Sequence, residues 1–118
     1  LKDEDVIYLV SVPKNEKRVS HYIKIKEKQA FDWPICEVAI CADKEHGVLK
    51  HVNLVLGAAA PIPWRATKAE KILEGQAVTP ALAEAAGKAA VEDAKPMSQN
   101  AYRVPIFEAV VKRAVMGL

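Results

Sequence analysis

The residues best suited to chemistry lie between Tyr22 and Trp33, where cationic and aromatic side chains occur close together. In an extended strand Tyr22, Lys24 and Lys26 point to the same side, because successive side chains alternate between the two faces. A lysine binds an anionic group as a point charge, and an aromatic ring can cover a flat heterocycle. This segment therefore predicts a surface for an anionic aromatic ligand.

On physical grounds alone, a structural interpretation of the same segment is favoured. Lysines on an exposed edge strand discourage pairing with another chain, and Phe31 and Trp33 would then lie in the core. Arg65 likewise either binds an anion or pairs with a helix carboxylate. A third interpretation is a small single-strand nucleic-acid binder, which needs a larger basic surface than a chain with a net charge of +2 provides.

The sequence contains no motif for independent catalysis. GxSxG, HExxH and glycine-rich phosphate loops are absent, so we predict no catalytic residue, and the three histidines are interpreted as packed or solvated. Cys36 and Cys41 are the two cysteines, and their odd spacing places them on opposite faces of a strand, where they cannot pair. Neither has another ligand at metal-binding spacing, so we predict reduced thiols and no metal site.

Length and composition predict one globular domain over residues 1–118. Of the 118 residues, 51% are hydrophobic and 27% are charged, which excludes a disordered chain. The start, Leu1–Asp5, is acidic rather than signal-like, and no apolar run is long enough for a membrane span. We therefore expect a cytoplasmic protein without membrane or nucleic-acid partners, and the initial Leu suggests the end of a longer polypeptide.

Strands are predicted in the first half of the chain and helices in the second. This order favours an α+β fold, a three- to four-stranded antiparallel sheet covered on one face by three helices. The predicted strands are Val6–Val12, Val19–Lys26, Ile35–Ala42 and Val48–Leu56. A proline-containing crossover at 58–64 follows the last strand.

Capping signals set the predicted helix boundaries. Thr67 has capping-box spacing with Glu70, and Gly75 closes this short helix. The second helix begins at Thr79, followed by Pro80, and is expected to end near residue 94 and to pack closely because it is rich in alanine. Residue 98, a serine, is a candidate cap for the last helix, whose first turn includes the proline at 105.

Four segments, in this order, resemble the C-terminal domain of the FAD-binding medium subunit of molybdenum hydroxylases. This is the family of xanthine dehydrogenase, aldehyde oxidoreductase and carbon monoxide dehydrogenase. The segments are "VIYLVSVP", "YIKIKEKQAFDWPICEVAI", "GVLKHVNLVLGAAAPIPWRATKAEKILEG" and "AKPMSQNAYRVPIFEAVVKRAV". Within them, "APIPWRA" and "NAYRV" are closer to the bacterial aldehyde or xanthine type than to the carbon monoxide type.

The resemblance implies an α+β domain that helps enclose FAD, which an upstream FAD-binding N-terminal domain mainly holds. In that family electrons pass from molybdopterin through two iron–sulfur (2Fe-2S) clusters in partner subunits to the flavin, and then to NAD, oxygen or another acceptor. It also implies that Lys24 reaches the flavin, that Ile7 contacts it, and that Lys28, Phe31 and Trp33 lie beside it. The alternative is an interaction or assembly module that keeps the fold without flavin contact.

Overall fold

The computed structural model describes residues 2–28 and 30–118. The strands are β1 (Arg18–Ile25), β2 (Cys36–Glu45), β3 (Val48–Gly57) and β4 (Trp64–Arg65), and the helices are α1 (Thr67–Leu73), α2 (Pro80–Ala90) and α3 (Arg103–Met116). The strands form one antiparallel sheet in the order β1-β2-β3-β4. The predicted α+β fold is confirmed.

The helices cover one face of the sheet and leave the other open. Helix α3 packs on β1 and β2, α1 packs on β3, and α2 packs on the other two helices. Val38 and Leu54 of the sheet and Leu73 and Val111 of the helices are fully buried in the common core. Burying each of these side chains contributes about 1.5–3 kcal/mol. The opposite face, called the open face below, is therefore the one available to a ligand or partner.

The predicted strand Val6–Val12 is wrong as an element of this sheet. These residues form no strand, and their large apolar side chains are 66% to 96% exposed. The physical reason is a missing partner, because no backbone hydrogen bond joins residues 6–13 to any other residue in the described part of the chain. The fourth strand is β4 instead, which begins at the last residue of the predicted crossover and pairs with Val55 and Leu56.

Three predicted helix boundaries are also wrong. Thr67 is not the N-cap of α1, because Ala66 occupies that position and no side chain caps the helix. The Glu70 carboxylate accepts instead from Leu54 and Arg65. Helix α2 ends at Ala90, several residues early, and α3 begins at Arg103 rather than after the serine at 98, because residues 98–102 form turns. The spacing of candidate cap residues therefore does not by itself predict which acceptor binds a backbone N–H at the start of a helix.

The start of α2 and its close packing follow the sequence signals. The Leu82 N–H donates to Thr79 Oγ1 over 3.1 Å, with Pro80 in the first helical position, which confirms the predicted cap. A Cβ atom at Gly87 would lie 2.6 Å from the backbone oxygen of Glu108 in α3. Helices α2 and α3 therefore approach as closely as the small side chains predict.

Candidate functional site

One row of residues crosses the open face from β1 to β3. Lys24 is opposite Glu37, and Glu37 is opposite Gly57. The Lys24 ammonium lies 3.8 Å from Glu37 Oε1, and the two side chains are 30% and 26% exposed. This separation is longer than a hydrogen bond, and within residues 2–28 and 30–118 no other group accepts a hydrogen bond from the Lys24 ammonium.

Gly57 leaves the space that the Glu37 carboxylate occupies. A Cβ atom at Gly57 would lie 2.5 Å from Glu37 Oε2. The Tyr22 hydroxyl donates to Glu37 Oε1 over 2.9 Å. Desolvation, followed by the neighbouring Glu37 carboxylate, raises the pKa of the Tyr22 phenol. The Glu37 carboxylate thus interacts with both the neutral Tyr22 phenol and the Lys24 ammonium. This pairing keeps the Lys24 ammonium on the open face.

The loop between β1 and β2 presents two aromatic side chains to solvent. Phe31 is 100% exposed and Trp33 is 88% exposed, so the interpretation that places them in the core is wrong. The physical reason is that they lie in a turn beyond the end of the sheet, held by the Asp32 carboxylate, which accepts from the N–H groups of Lys28 and Trp33 over 3.1 and 2.9 Å. The Lys24 ammonium lies 6.0 Å from the Phe31 ring centre, within reach of a cation–π contact.

Small side chains leave a depression on the open face. It has a volume of about 240 Å³, and Ala39, Cys41 and Val55 lie in it with Ser20 and Tyr22. It adjoins the row that carries Lys24, since Tyr22 lines the depression and donates to Glu37 of that row. A cation, exposed aromatic rings and a shallow apolar surface thus lie at one end of the sheet.

Arg65 pairs with a carboxylate of helix α1. Its Nε donates to Glu70 Oε1 and its terminal nitrogen donates to Asn53 Oδ1, each over 2.8 Å. The buried Glu70 carboxylate also accepts from the Leu54 N–H over 2.9 Å, and Glu70 raises the pKa of Arg65. Of the two interpretations open for Arg65, pairing with a helix carboxylate is confirmed.

Arg103, at the start of α3, joins two chain segments at the same end of the sheet. Its Nε donates to the carbonyl oxygen of Ile35 over 2.9 Å, and a terminal nitrogen donates to the carbonyl oxygen of Ala58. Ile35 closes the loop that carries the exposed aromatics, and Ala58 follows β3. A single guanidinium therefore fixes the loop to the crossover.

A polar cluster at the far end of the sheet is structural. His51 has a φ of +52° at a bulge in β3, and its N–H and that of Val52 donate to the Glu74 carboxylate over 2.9 and 3.0 Å. The Asp43 carboxylate accepts from Arg18 over 2.7 Å and lies 2.9 Å from His51 Nδ1. Hydrogen bonds with Arg18 and then His51 lower the pKa of Asp43. These contacts satisfy groups that the bulge leaves unpaired.

The structure brings some of the predicted flavin contacts together and separates one. Lys24 lies beside Phe31, and Lys28 and Trp33 lie in the same loop. Ile7 is 66% exposed in the segment without a partner, and no hydrogen bond among the described residues ties that segment to the sheet. The sequence analysis missed Glu37 and Gly57, because their roles depend on strand register, which a long β1–β2 loop does not define.

The remaining chemistry-bearing groups form no metal centre in the described part of the chain. Within residues 2–28 and 30–118, no three His, Cys, Asp or Glu side chains are placed to hold a metal ion. Cys36 and Cys41 are free thiols, and burial raises the pKa of Cys36. In the same residues, no helix has both the length and the apolar character needed to cross a membrane.

Comparison with known proteins identifies the class of this domain. Residues 20–118 match the family described as the CO dehydrogenase flavoprotein C-terminal domain. The chain belongs to that family. The predicted membership, the C-terminal domain of the FAD-binding subunit of molybdenum hydroxylases, is confirmed.

Solved structures show the same fold. The CO dehydrogenase from Hydrogenophaga pseudoflava that lacks the Mo-pyranopterin moiety is 29% identical, with a TM-score of 0.78 over 86% of this chain and 37% of that one. A cyanide-inactivated Cu,Mo-CO dehydrogenase is 25% identical, with a TM-score of 0.77 over 89% and 37%. Quinoline 2-oxidoreductase from Pseudomonas putida 86 shares the fold at 19% identity, with a TM-score of 0.77 over 83% and 35%. No curated protein matches the chain.

Proposed function

We propose that this domain helps enclose FAD in the flavoprotein subunit of a molybdenum hydroxylase complex, with Lys24 in contact with the flavin. The observation that carries the proposal is the Lys24 ammonium, which is held on the open face by a long 3.8 Å ion pair and has no hydrogen-bond acceptor among the described residues. When bound, the flavin accepts electrons and passes them on. The domain itself supplies no catalytic residue.

The residues around Lys24 suit a flat, partly anionic ring system. Lys24 supplies a positive charge, and Glu37 and Tyr22 hold that charge in position. The exposed rings of Phe31 and Trp33 supply flat apolar surface that water otherwise covers. Ligand sites commonly combine apolar surface with a few placed polar groups, and this end of the sheet has both.

Lys28 and Ile7 are the further proposed contacts. Lys28 lies in the same loop as Phe31, so its ammonium can reach an acidic group that extends beyond the ring system. Ile7 reaches the flavin only if its segment packs against the open face in the larger subunit. Lys24 is therefore the primary residue to test.

We also propose that the chain is the C-terminal part of a longer cytoplasmic subunit. The chain spans 37% of the length of the CO dehydrogenase chain that it matches at 29% identity, which supports an upstream FAD-binding domain. Its partners would then be an iron–sulfur subunit with 2Fe-2S clusters and a molybdopterin subunit.

The segments "APIPWRA" and "NAYRV" favour the xanthine or aldehyde type. Turnover of an aldehyde or a purine, but not of carbon monoxide, by the purified complex would support that assignment.

The Lys24→Ala variant tests flavin contact. A charge-assisted contact contributes about 1.5–3 kcal/mol, so we expect the purified complex to bind FAD at least about tenfold more weakly. Fluorescence of flavin released during dialysis measures the change. Lys50→Ala is the matched control, because Lys50 lies near the start of β3 and pairs with Glu45 over 3.1 Å. Equal flavin retention in Lys24→Ala, Lys50→Ala and the unmodified complex would refute the contact and favour the interaction module.

A further inference from the structure

The Glu37 carboxylate is held in position from both neighbouring strands. On the β1 side, the Tyr22 hydroxyl donates to Glu37 Oε1 over 2.9 Å. On the β3 side, Gly57 is opposite Glu37, and a Cβ atom there would lie 2.5 Å from Glu37 Oε2. The carboxylate thus lies between a phenol of β1 and the bare backbone of β3. The negative charge of Glu37 therefore has a defined place on the open face.

This negative charge lies next to the positive charge of Lys24. Glu37 Oε1, the oxygen that accepts from Tyr22, lies 3.8 Å from Lys24 Nζ. Both side chains are partly buried, so salt and water screen the pair less than a fully exposed pair. For a ligand above the open face, the two opposite charges largely cancel. An anionic ligand is therefore attracted less strongly than Lys24 alone would attract it.

Reduction of a bound flavin adds negative charge at this end of the sheet. Two electrons and one proton convert the neutral oxidised ring system into a singly charged anion, and in the proposed complex the electrons come from the iron–sulfur clusters. Charged groups near the ring system change this equilibrium. A positive group favours the reduced form and a negative group favours the oxidised form, so Lys24 and Glu37 act in opposite directions.

We infer that Glu37 limits the preference of this site for reduced over oxidised flavin by offsetting the charge of Lys24. Glu37 is a positioning residue in this inference, because it acts on the charge beside the flavin and need not touch the flavin itself. The lower reduction potential that results makes the reduced flavin a stronger electron donor to the final acceptor. The inference rests on the proposed contact between Lys24 and the flavin, and it adds a role for Glu37 in setting the reduction potential.

The Glu37→Gln variant tests the inference, because it removes the charge and keeps the shape of the side chain. The glutamine carbonyl oxygen can still accept from Tyr22. We expect the affinity for reduced flavin, relative to oxidised flavin, to rise about tenfold. For a two-electron couple a tenfold change corresponds to about 30 mV, so the reduction potential should rise by about that amount. Redox titration of the purified complex with dithionite and mediator dyes measures it.

The Lys24→Met variant should shift the reduction potential in the opposite direction. Methionine keeps an unbranched side chain and removes the positive charge, so the relative affinity for reduced flavin should fall about tenfold. The double variant with Lys24→Met and Glu37→Gln should return close to the potential of the unmodified complex, because both charges are then absent. A general disturbance of the site would not produce opposite shifts that cancel.

Glu45→Gln is the matched control, since it removes the same charge from the opposite end of β2. Glu45 pairs with Lys17 over 2.6 Å and with Lys50 over 3.1 Å. At about 3.3 Å per residue it lies roughly 26 Å from Glu37. This distance exceeds the Debye length of about 10 Å at 0.1 M salt, so the flavin potential should not change.

The four complexes distinguish failure of this inference from failure of the flavin contact. A lower potential in Lys24→Met with an unchanged potential in Glu37→Gln would overturn the inference and support the contact. Unchanged potentials in both variants would overturn the inference and the contact together. If Lys24→Met does not retain flavin, the comparison of Glu37→Gln with Glu45→Gln decides. A rise in Glu37→Gln alone supports the inference, and equal potentials overturn it.

Discussion

Replacing Gly57 by alanine tests the packing that holds Glu37 beside Lys24. The added Cβ atom would lie 2.5 Å from Glu37 Oε2 and 2.9 Å from Glu37 Cβ. Rotation of the Glu37 side chain can relieve the first contact. It cannot relieve the second, because Cβ is bonded directly to the backbone of β2. Strands β2 and β3 must therefore shift apart at this end of the sheet.

Two destabilising effects and one stabilising effect determine how Gly57→Ala changes the free energy of unfolding. Overpacking costs about 1–3 kcal/mol. Loss of the hydrogen bond between Tyr22 and Glu37 costs about 0.5–1.5 kcal/mol. Replacing glycine within a strand restores about 0.5–1 kcal/mol. The sum is a destabilisation of about 2 kcal/mol, which lowers the Tm by roughly 8 °C in a domain of this size.

Thermal unfolding followed by circular dichroism measures the stability change, and an absorbance titration reports on the site. The pKa of the Tyr22 phenol should move back towards its ordinary value, since one cause of its elevation, the Glu37 carboxylate, is displaced while desolvation remains. Tyr22→Phe identifies the Tyr22 signal. Ser20→Ala is a control on the same exposed face and should change stability by less than about 0.5 kcal/mol. An unchanged Tm and an unchanged titration in Gly57→Ala would refute the reasoning.

Three further predictions concern packing, a buried carboxylate and acid sensitivity. Gly87→Ala should destabilise the chain by about 1 kcal/mol in urea unfolding, because overpacking against the α3 backbone exceeds the gain in helix propensity. Glu70→Ala should cost about 1–3 kcal/mol by the same assay, since it leaves the buried Leu54 N–H without an acceptor, while the half-exposed Arg65 side chain can be solvated. Lys17 and Lys50 lower the pKa of Glu45 to about 2, so stability present above pH 4.5 should fall as the pH approaches 2.

Each of these predictions has a contradicting result. Ala85→Gly is the control for the helix, and it should lose about 1 kcal/mol through propensity alone. A Gly87→Ala variant that is more stable than the unmodified chain would show that α2 and α3 separate without cost. Stability of Glu70→Ala equal to that of the unmodified chain would remove the assigned role of Glu70. A urea midpoint that does not decrease between pH 5 and pH 2 would contradict the acid prediction.

The sequence predicts those elements whose local pattern and tertiary partners agree. The alternation over Val19–Lys26, the apolar segments Ile35–Ala42 and Val48–Leu56, and the Thr79–Pro80 signal all predict elements that the structure contains. The pattern at 6–12 is equally strong, yet a strand needs a partner that the described chain does not contain. Strand β4 has only two residues, too few to show any alternation. The predicted capping box paired Glu70 with Thr67, whereas the donors to Glu70 are Leu54 in β3 and Arg65 in β4.

The candidate site is less predictable from local pattern because it depends on neighbours that are distant in sequence. Charge and alternation place Lys24 on an exposed face, but they do not distinguish ligand binding from protection of a sheet edge. Family resemblance singled out Lys24. Glu37 and Gly57 become visible only when the register of three strands is known, and the exposure of Phe31 and Trp33 only when the core is seen to be complete without them.

The contact made by Arg103 has a consequence for the order in which the chain is completed on the ribosome. Arg103 lies in the last helix, yet it fixes the carbonyl groups of Ile35 and Ala58 at the end of the sheet that carries Lys24. The loop with Phe31 is therefore translated long before its anchor. A nascent chain with β1 to β3 but without α3 has the strands of the site and lacks their clamp. This end of the sheet is therefore fixed only after α3 has been synthesised and has packed on β1 and β2.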